Sequence, residues 1–232
     1  MKNKIVLPVM ILCLAVLGCS KIKELADRSN SSSTNTDNPA SNSGPSTGTT
    51  TANSGEPKAD IIAASKKFIA LPAFSATMDG TGTNAIHSKV EYAAPDRFHI
   101  SYLGGTGAGM EMIMIGKQTY MKNAGSGNWN KSPVNLGESI PSLRDSFTDE
   151  GLKTLDDAKF DGDDTIDGKP ALVYSYKNVT PKGGFPFHSK IWIGKNTGLP
   201  MKIEVNYENG TLKQMTINYD TDSPVTIEAP VK

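Results

Sequence analysis

The chain has 232 residues, of which 37% are hydrophobic and 21% are charged, so its composition is that of a globular protein. Its 24 basic side chains are balanced by 24 acidic ones. This balance leaves no surplus of positive charge to neutralise phosphates and argues against a nucleic acid partner.

The first 18 residues have the pattern of a secretory signal peptide. Two lysines, Lys2 and Lys4, precede an apolar run from Ile5 to Leu17. That run is shorter than the roughly 20 apolar residues that a transmembrane helix needs, and it ends at a small residue, Gly18, as signal peptides do. We therefore expect residues 1–18 to be removed from the mature protein.

Cys19, directly after the expected cleavage position, is the predicted lipidation site. The sequence VLGC that ends at Cys19 resembles a bacterial lipobox, in which the Cys carries the lipid. The other cysteine, Cys13, lies within the signal, so Cys19 has no partner for an internal disulfide in the mature chain. Ser20 stands where an Asp would favour the inner membrane, and the resemblance to sorted lipoproteins implies an outer-membrane anchor in the bacterial envelope, facing the periplasm or the surface. A plain signal peptide with an incidental Cys is the alternative.

Residues 19–57 are predicted to form a tether between the lipid and the folded domain. From residue 30 to residue 57 the sequence is rich in Ser, Thr, Asn and Gly and has hardly any apolar side chain larger than Ala. Such a segment cannot bury enough surface to offset the entropy of ordering it, so we expect it to be disordered. A flexible coil of this kind has an end-to-end distance of about 30 Å, which would let the domain stand off the membrane.

The folded domain is expected over residues 58–232, with two helical segments. In KADIIAASKKFIAL, apolar side chains recur every three or four residues, and Pro72 follows, which predicts an amphipathic helix. The segment 135–155 breaks the strand pattern of the rest of the domain and is predicted to form one or two short helices. The apolar side chains proposed to make these two segments lids are Ile61, Phe68, Ile140, Leu143 and Phe147.

Alternation of apolar and polar residues predicts an antiparallel sheet over the rest of the domain. The sequences IHSKVEY and RFHISY alternate strictly, and similar segments follow to the end of the chain. Asn209 and Gly210, between two of these segments, are a strong hairpin signal. We expect roughly nine or ten strands. A sheet of this size must curl or be covered, so the predicted fold is mainly β (α+β): a large curved antiparallel sheet covered by short helices.

Four segments carry a resemblance to a known family. They are PDRFHISYLGGTGAGMEMIMIGKQTYMKNAGSGNWNK, IDGKPALVYSY, KIWIGKNTGLPMKIEVNY and QMTINY. Together they resemble the LolA/LolB superfamily of lipoprotein carriers and its relatives of the LppX/LprG lipid-carrier type. The resemblance implies a half-open β-barrel whose helices close an apolar cavity for acyl chains. The chain departs from many LolA-type sequences at Ala94, where they have Arg, and at Ile115, where they have Asp.

A stripe of methionines is the strongest candidate for such a cavity. Met110, Met112 and Met114 are two residues apart, so in a strand they point to one face. Methionine is unbranched and adapts to irregular apolar partners, but a filled core is the ordinary alternative for such a stripe. The candidate cavity-lining residues are Phe98, Ile100, Tyr102, Met110, Met112, Met114, Met121, Ile203 and Val205.

We expect no catalytic site, metal or cofactor. His87, His99 and His188 are scattered and belong to no recognisable nucleophile or acid-base grouping. The acidic segment DDAKFDGDDTIDG lacks the spacing of a calcium loop and is predicted to be a solvated hairpin. The predicted function is non-catalytic binding and carriage of a lipid or lipidated protein by a monomer that meets the membrane through its anchor. The alternative is a structural or signalling lipoprotein with a filled core that binds protein or envelope polymer.

Overall fold

An eleven-stranded antiparallel sheet dominates the computed structural model, which describes residues 51–133, 147–179, 186–208 and 210–230. Two helices accompany the sheet in these residues. In chain order the elements are α1 (Pro57–Ile69), β1 (Ala73–Gly82), β2 (Ile86–Ala93), β3 (Arg97–Gly105), β4 (Glu111–Ile115), β5 (Gln118–Lys122), β6 (Asn130–Lys131), α2 (Asp149–Lys153), β7 (Asp156–Ile166), β8 (Lys169–Val179), β9 (Pro186–Gly194), β10 (Pro200–Tyr207) and β11 (Leu212–Asp220).

The sheet consists of two meanders joined by the pairing of its first and last strands. Its order is β6-β5-β4-β3-β2-β1-β11-β10-β9-β8-β7. The chain therefore runs outward from β1 to one edge, resumes at the opposite edge with β7, and steps back to β11 beside β1. The end strands β6 and β7 do not pair with each other, so the curved sheet stays unclosed. This arrangement confirms the predicted half-open barrel of mainly β class.

Helix α1 forms where the sequence pattern predicts it. Pro57 occupies the start of the helix, where its missing N–H and fixed φ are tolerated. Asp60 lies in the first turn, and Lys66 and Lys67 lie in the last, which suits the helix dipole. The helix ends at Ile69, before Pro72. Its apolar stripe is buried against the sheet, and we call the sheet face that it contacts the helix face.

The core beneath α1 is aromatic at its centre. Phe68 is fully buried, and its ring centroid lies 4.7 Å from that of Phe74, 4.6 Å from that of Phe147 and 4.9 Å from that of Tyr219. We call the whole set the helix-covered core; its buried members are Ile61, Ala64, Phe68, Phe74, Ala76, Tyr92, Phe147, Leu152, Leu155, Leu172, Tyr174, Ile191, Ile193, Ile203, Val205, Met215 and Ile217. None of the helices in the described part of the chain is long and apolar enough to cross a membrane.

The C-terminal segment covers part of the opposite, outer face of the sheet. Ile227 is only 4% exposed and packs with Ile113 of β4 and Tyr120 of β5. Arg97 holds this segment in place, because its Nη1 donates a hydrogen bond to the Ile227 carbonyl oxygen over 2.7 Å. Strand β4 is therefore buried on both faces, with methionines toward the helix face and isoleucines toward the C-terminal segment.

The acidic segment 156–168 is strand β7 and the turn after it, so the predicted hairpin is confirmed. Lysines of β8 and of the turn after β9 pair with its carboxylates, since Lys177 Nζ lies 3.2 Å from Asp157 and Lys195 Nζ lies 2.7 Å from Asp163. Asp164 accepts a hydrogen bond of 2.8 Å from the Trp192 indole. Two register shifts interrupt the pairing of β7 with β8. The sheet has more strands than the roughly nine or ten expected, and one of them, β6, is only two residues long.

Candidate functional site

The methionine stripe lies on the helix face of the sheet. The strand registers place Met121, Met112, Ile100, Val90 and Ala76 in one row that crosses five strands. Ala76 belongs to the helix-covered core, so the whole row shares the face on which α1 packs. Alternation within one strand cannot show which face of the sheet the methionines occupy. The strand pairing shows that it is the helix face.

Eight apolar side chains on β1–β5 form a cluster of their own. Met112 and Met114 are its most central methionines and are 7% and 4% exposed. We call this set the methionine cluster; its members are Met78, Val90, Phe98, Ile100, Tyr102, Met112, Met114 and Met121. Met78 and Phe98 also pack against the helix-covered core, so the two apolar regions are continuous.

The structure brings six of the nine candidate cavity residues together in this cluster. They are Phe98, Ile100, Tyr102, Met112, Met114 and Met121. Met110 lies just before β4, where its carbonyl accepts the backbone N–H of Tyr102 over 2.9 Å. Ile203 and Val205 are buried on β10 in the helix-covered core. Met78 and Val90 belong to the cluster but were not among the candidates. The alternation of Phe74, Ala76 and Met78 in β1 is the sequence signal that could have identified Met78.

A glycine-rich turn closes the end of the cluster between β3 and β4. The backbone N–H of Gly109 donates to the Tyr102 carbonyl oxygen over 2.8 Å. Gly107 has a φ of 87°, and a Cβ built there would lie 3.5 Å from the Tyr102 ring. A glycine therefore lets this turn bend in the left-handed region directly over the tyrosine.

Three of the five predicted lid residues are packed against the sheet or each other. Ile61, Phe68 and Phe147 are between 0% and 3% exposed and belong to the helix-covered core. Ile140 and Leu143 lie outside the described residues. Movement of either segment as a lid stays a prediction.

Two polar contacts fasten α1, one to strand β8 and one to the residue just before β7. The Tyr174 hydroxyl donates a hydrogen bond of 2.8 Å to Asp60 Oδ2. Lys58 Nζ donates to the Leu155 carbonyl oxygen over 2.7 Å. Burial of the Tyr174 phenol, together with the carboxylate of Asp60, raises the pKa of Tyr174 well above its ordinary value. Opening of α1 would have to break both contacts.

Two cavities lined by described residues lie away from the methionine cluster. One, of about 50 Å³, separates α1 from β8 and β9 near Tyr174 and Ile193. The other, of about 400 Å³, is a polar groove on the outer face beside the C-terminal segment. Ser75, Thr77, Lys89, Glu91, Asp167, Asn218 and Asp220 are among the residues that line it. Its polar lining does not suit an acyl chain.

A chain of charged side chains crosses four strands on the outer face. His99 on β3 lies between two carboxylates, with Nδ1 2.9 Å from Glu91 and Nε2 3.1 Å from Glu111. Lys89 pairs with Glu91 and Lys122 pairs with Glu111, each over 2.8 Å. Cross-strand pairs of opposite charge stabilise a sheet, so this network ties β2, β3, β4 and β5 together.

The network predicts a loss of stability in acid. Burial raises the pKa of Glu91, but hydrogen bonds from Lys89 and His99 outweigh it, so this pKa lies below its ordinary value of 4.5. A hydrogen bond from Lys122 lowers the pKa of Glu111. A lowered pKa stabilises the fold above the unfolded pKa, and this stabilisation is lost as pH falls through the folded value. We therefore expect the urea concentration at the unfolding midpoint of the full-length chain to decrease as the pH is lowered from about 5 to about 3.

In the double variant Glu91→Gln/Glu111→Gln, the urea midpoint should change less over the same pH range. Glu228→Gln, at an exposed position of the C-terminal segment, is the matched control and should follow the wild type. An equally steep loss of stability in the double variant would show that other carboxyl groups cause the acid sensitivity.

The other histidines also pair with carboxylates near the surface. His87 Nδ1 contacts Asp79, and His188 Nε2 lies 3.2 Å from Glu208. Within the described ranges, no group of three or more His, Cys, Asp or Glu side chains is placed to hold a metal ion.

Comparison with known proteins gives a fold likeness. No family model matches the chain, and no curated protein matches it. The fold is similar to that of the lipoprotein LppX of Mycobacterium tuberculosis, with 13% identity, a TM-score of 0.57, and coverage of 76% of this chain and 100% of LppX. LprF of Mycobacterium bovis is similar to the same degree, with 15% identity, a TM-score of 0.57, and coverage of 77% and 99%. The resemblance to LppX-type proteins is thus confirmed at the level of the fold.

Proposed function

We propose that this chain is an envelope lipoprotein that binds the acyl chain of a lipid or lipidated protein against the methionine cluster, without catalysis. The observation that carries the proposal is a continuous apolar cluster of eight side chains, four of them methionines, beside the part of the sheet on which α1 packs. The likeness in fold to the lipoprotein LppX supports it.

The chemistry of the cluster suits an aliphatic ligand. Transfer of an acyl chain from water to an apolar site contributes about 0.8 kcal/mol per buried methylene. Four methionines have flexible side chains and polarisable sulfurs, so they can fit chains of different length and shape. The strands beneath them are fixed by the outer-face network and by the C-terminal segment. A rigid sheet with an adaptable lining would bind acyl chains with moderate affinity and release them.

We further propose that Cys19 carries the lipid anchor and that the predicted tether, residues 19–57, links it to the domain. The structure already includes the last residue of this range, Pro57, in α1, and Thr51 donates a backbone hydrogen bond to Lys195. The domain, residues 58–232, would then work as a monomer close to the bacterial outer membrane, on the periplasmic or surface side. A tether of this kind raises the effective concentration of the domain at the membrane, so that moderate affinity for lipid suffices.

The experiment that tests the proposed function is native mass spectrometry of the full-length chain purified from bacterial membranes, followed by organic extraction of what is bound. We expect a mass above that of the acylated chain and recovery of an acyl lipid. A mass equal to that of the acylated chain, with no uptake of an added fluorescent fatty acid, would overturn the proposal.

Two variants of adjacent residues locate the binding face. Met112 and Ile113 are 7% and 8% exposed and lie on opposite faces of β4. Met112→Gln and Ile113→Gln both place an amide in an apolar cluster and should lower the urea midpoint by similar amounts. Only Met112→Gln should reduce lipid uptake, by about tenfold, which corresponds to about 1.4 kcal/mol.

The burial of the central methionines also favours a second candidate. Met112 and Met114, at 7% and 4% exposure, are as buried as the residues of a filled core. In that case the protein is a structural or signalling lipoprotein that binds its partner on the outer face. Equal lipid uptake by the two β4 variants, or no uptake by the wild type, would support this candidate.

A further inference from the structure

Ser189 on β9 is a buried polar residue without a hydrogen-bond partner. Its side chain is on the helix face of the sheet and is only 4% exposed. In the described part of the chain it is the one buried side-chain polar atom of this kind. Nearly all buried polar groups in folded proteins are hydrogen-bonded, and leaving one unpaired is destabilising. An unpaired hydroxyl on the face proposed to bind lipid therefore points to a ligand atom that completes it.

One phenol lies close to this hydroxyl. Tyr176 is the partner of Ser189 in the pairing of β8 with β9. Burial raises the pKa of Tyr176, and the neighbouring Ser189 hydroxyl offsets part of that rise, although the two groups do not meet the geometry of a hydrogen bond. Both hydroxyls are thus neutral at physiological pH and can donate a hydrogen bond.

The electrostatics of this group select a neutral acceptor. Ser189, Tyr176 and the adjacent Val205 carry no charge. A carboxylate placed among them would lose its hydration without gaining a cation, which is unfavourable. The carbonyl oxygen of an ester accepts up to two hydrogen bonds and is uncharged, so it matches a pair of hydroxyl donors.

The hydroxyls and the methionine cluster are connected along one sheet face. The registers place Ser189, Val205 and Met215 in one row, and Met215 is opposite Gly80 on β1. From β9 to β2 there are four strand spacings, or about 19 Å along the sheet. Val205 and Met215, which lie along this row, are apolar and belong to the helix-covered core, so neither places a charge between the two sites.

We infer that Ser189, together with the phenol of Tyr176, binds the ester carbonyl of an acyl lipid whose chain extends toward the methionine cluster. This inference rests on the proposed function and specifies its ligand as an acyl ester. Ser189 determines specificity: it distinguishes an ester-linked chain from an ether-linked chain of the same length.

The test is a competition between two matched lipids. The full-length chain is incubated with equal concentrations of 1-palmitoyl-lysophosphatidylcholine and its 1-O-hexadecyl ether analogue, which lacks the carbonyl, and the two adducts are compared by native mass spectrometry. We expect the wild type to hold about tenfold more of the ester. Ser189→Ala should bring the ratio close to one and should leave the urea midpoint unchanged or raised, because it removes an unpaired hydroxyl. Tyr176→Phe provides a second, independent variant and should lower the ratio without abolishing binding.

The outcomes separate this inference from the proposed function. Binding of both lipids in equal amounts by the wild type would overturn the ester specificity while leaving lipid binding intact. An ester preference that persists in both Ser189→Ala and Tyr176→Phe would overturn the assignment of these residues. Absence of any adduct in the wild type would overturn the proposed function and this inference with it.

Discussion

Phe68→Ala should lower the free energy of unfolding by about 3–5 kcal/mol. The ring is fully buried, and three other aromatic rings lie within 4.9 Å of its centroid. Loss of the ring removes the contact between α1 and the sheet at its centre and leaves a cavity that the rigid strands cannot fill. Urea denaturation of the full-length chain, followed by the fluorescence of Trp129 and Trp192, measures the change.

Phe160→Ala is the matched control for this substitution. The Phe160 side chain is 37% exposed on β7, and the same change there should cost about 1 kcal/mol or less. If Phe68→Ala were no more destabilising than Phe160→Ala, α1 would contribute little to the stability of the fold. The helix would then behave as a loosely attached cover.

Tyr174→Phe should cost about 1.5–3 kcal/mol, the range for a hydrogen bond to a charged group. The variant keeps the buried ring and removes only the hydroxyl, which donates a hydrogen bond of 2.8 Å to Asp60 Oδ2. Its effect should depend on Asp60, so in a double-mutant cycle with Asp60→Asn the two substitutions should be less destabilising together than the sum of each alone. Additive effects would contradict a direct coupling of the helix to β8.

The same contact has a signature at alkaline pH. The folded pKa of Tyr174 is raised above the ordinary value of 10.0 for a tyrosine. A raised pKa contributes stability that is fully present below the unfolded pKa and is lost as pH rises through the folded value. The stability difference between wild type and Tyr174→Phe should therefore narrow above about pH 10.

Much of the sheet is predictable because its two faces differ in polarity. In β2 and β3, helix-face residues such as Val90 and Ile100 alternate with outer-face residues such as His99, and the strands follow directly from this pattern. Strand β4 is apolar on both faces, since Ile113 packs against Ile227 from the far end of the chain. The run from Met112 to Ile115 is apolar at every position and so indicates burial on both faces, but nothing in it identifies the distant Ile227 as the partner.

The grouping of site residues depends on register, which is why it was only partly predictable. Met112 and Ile100 come together through the short β3–β4 hairpin, whose pairing is local. Ile203 and Val205 show the same alternation, but the pairing of β1 with β11 places them in the helix-covered core. Ser189 was missed although it is two residues from Ile191 and therefore on the same face of β9, because a serine has no apolar side chain to mark it as buried.

Strand β7 makes the unclosed sheet resistant to self-association. The end strand of an open sheet presents backbone donors and acceptors with which another chain can pair, and lipoproteins tethered to one membrane surface meet at high local concentration. Five aspartates against a single lysine within β7 make this edge acidic, although lysines from outside the strand pair with some of them, and its two register shifts make the edge irregular in shape. For the proposed anchored lipoprotein, neighbouring molecules would thus stay separate at the membrane, and the domain would remain free to reorient.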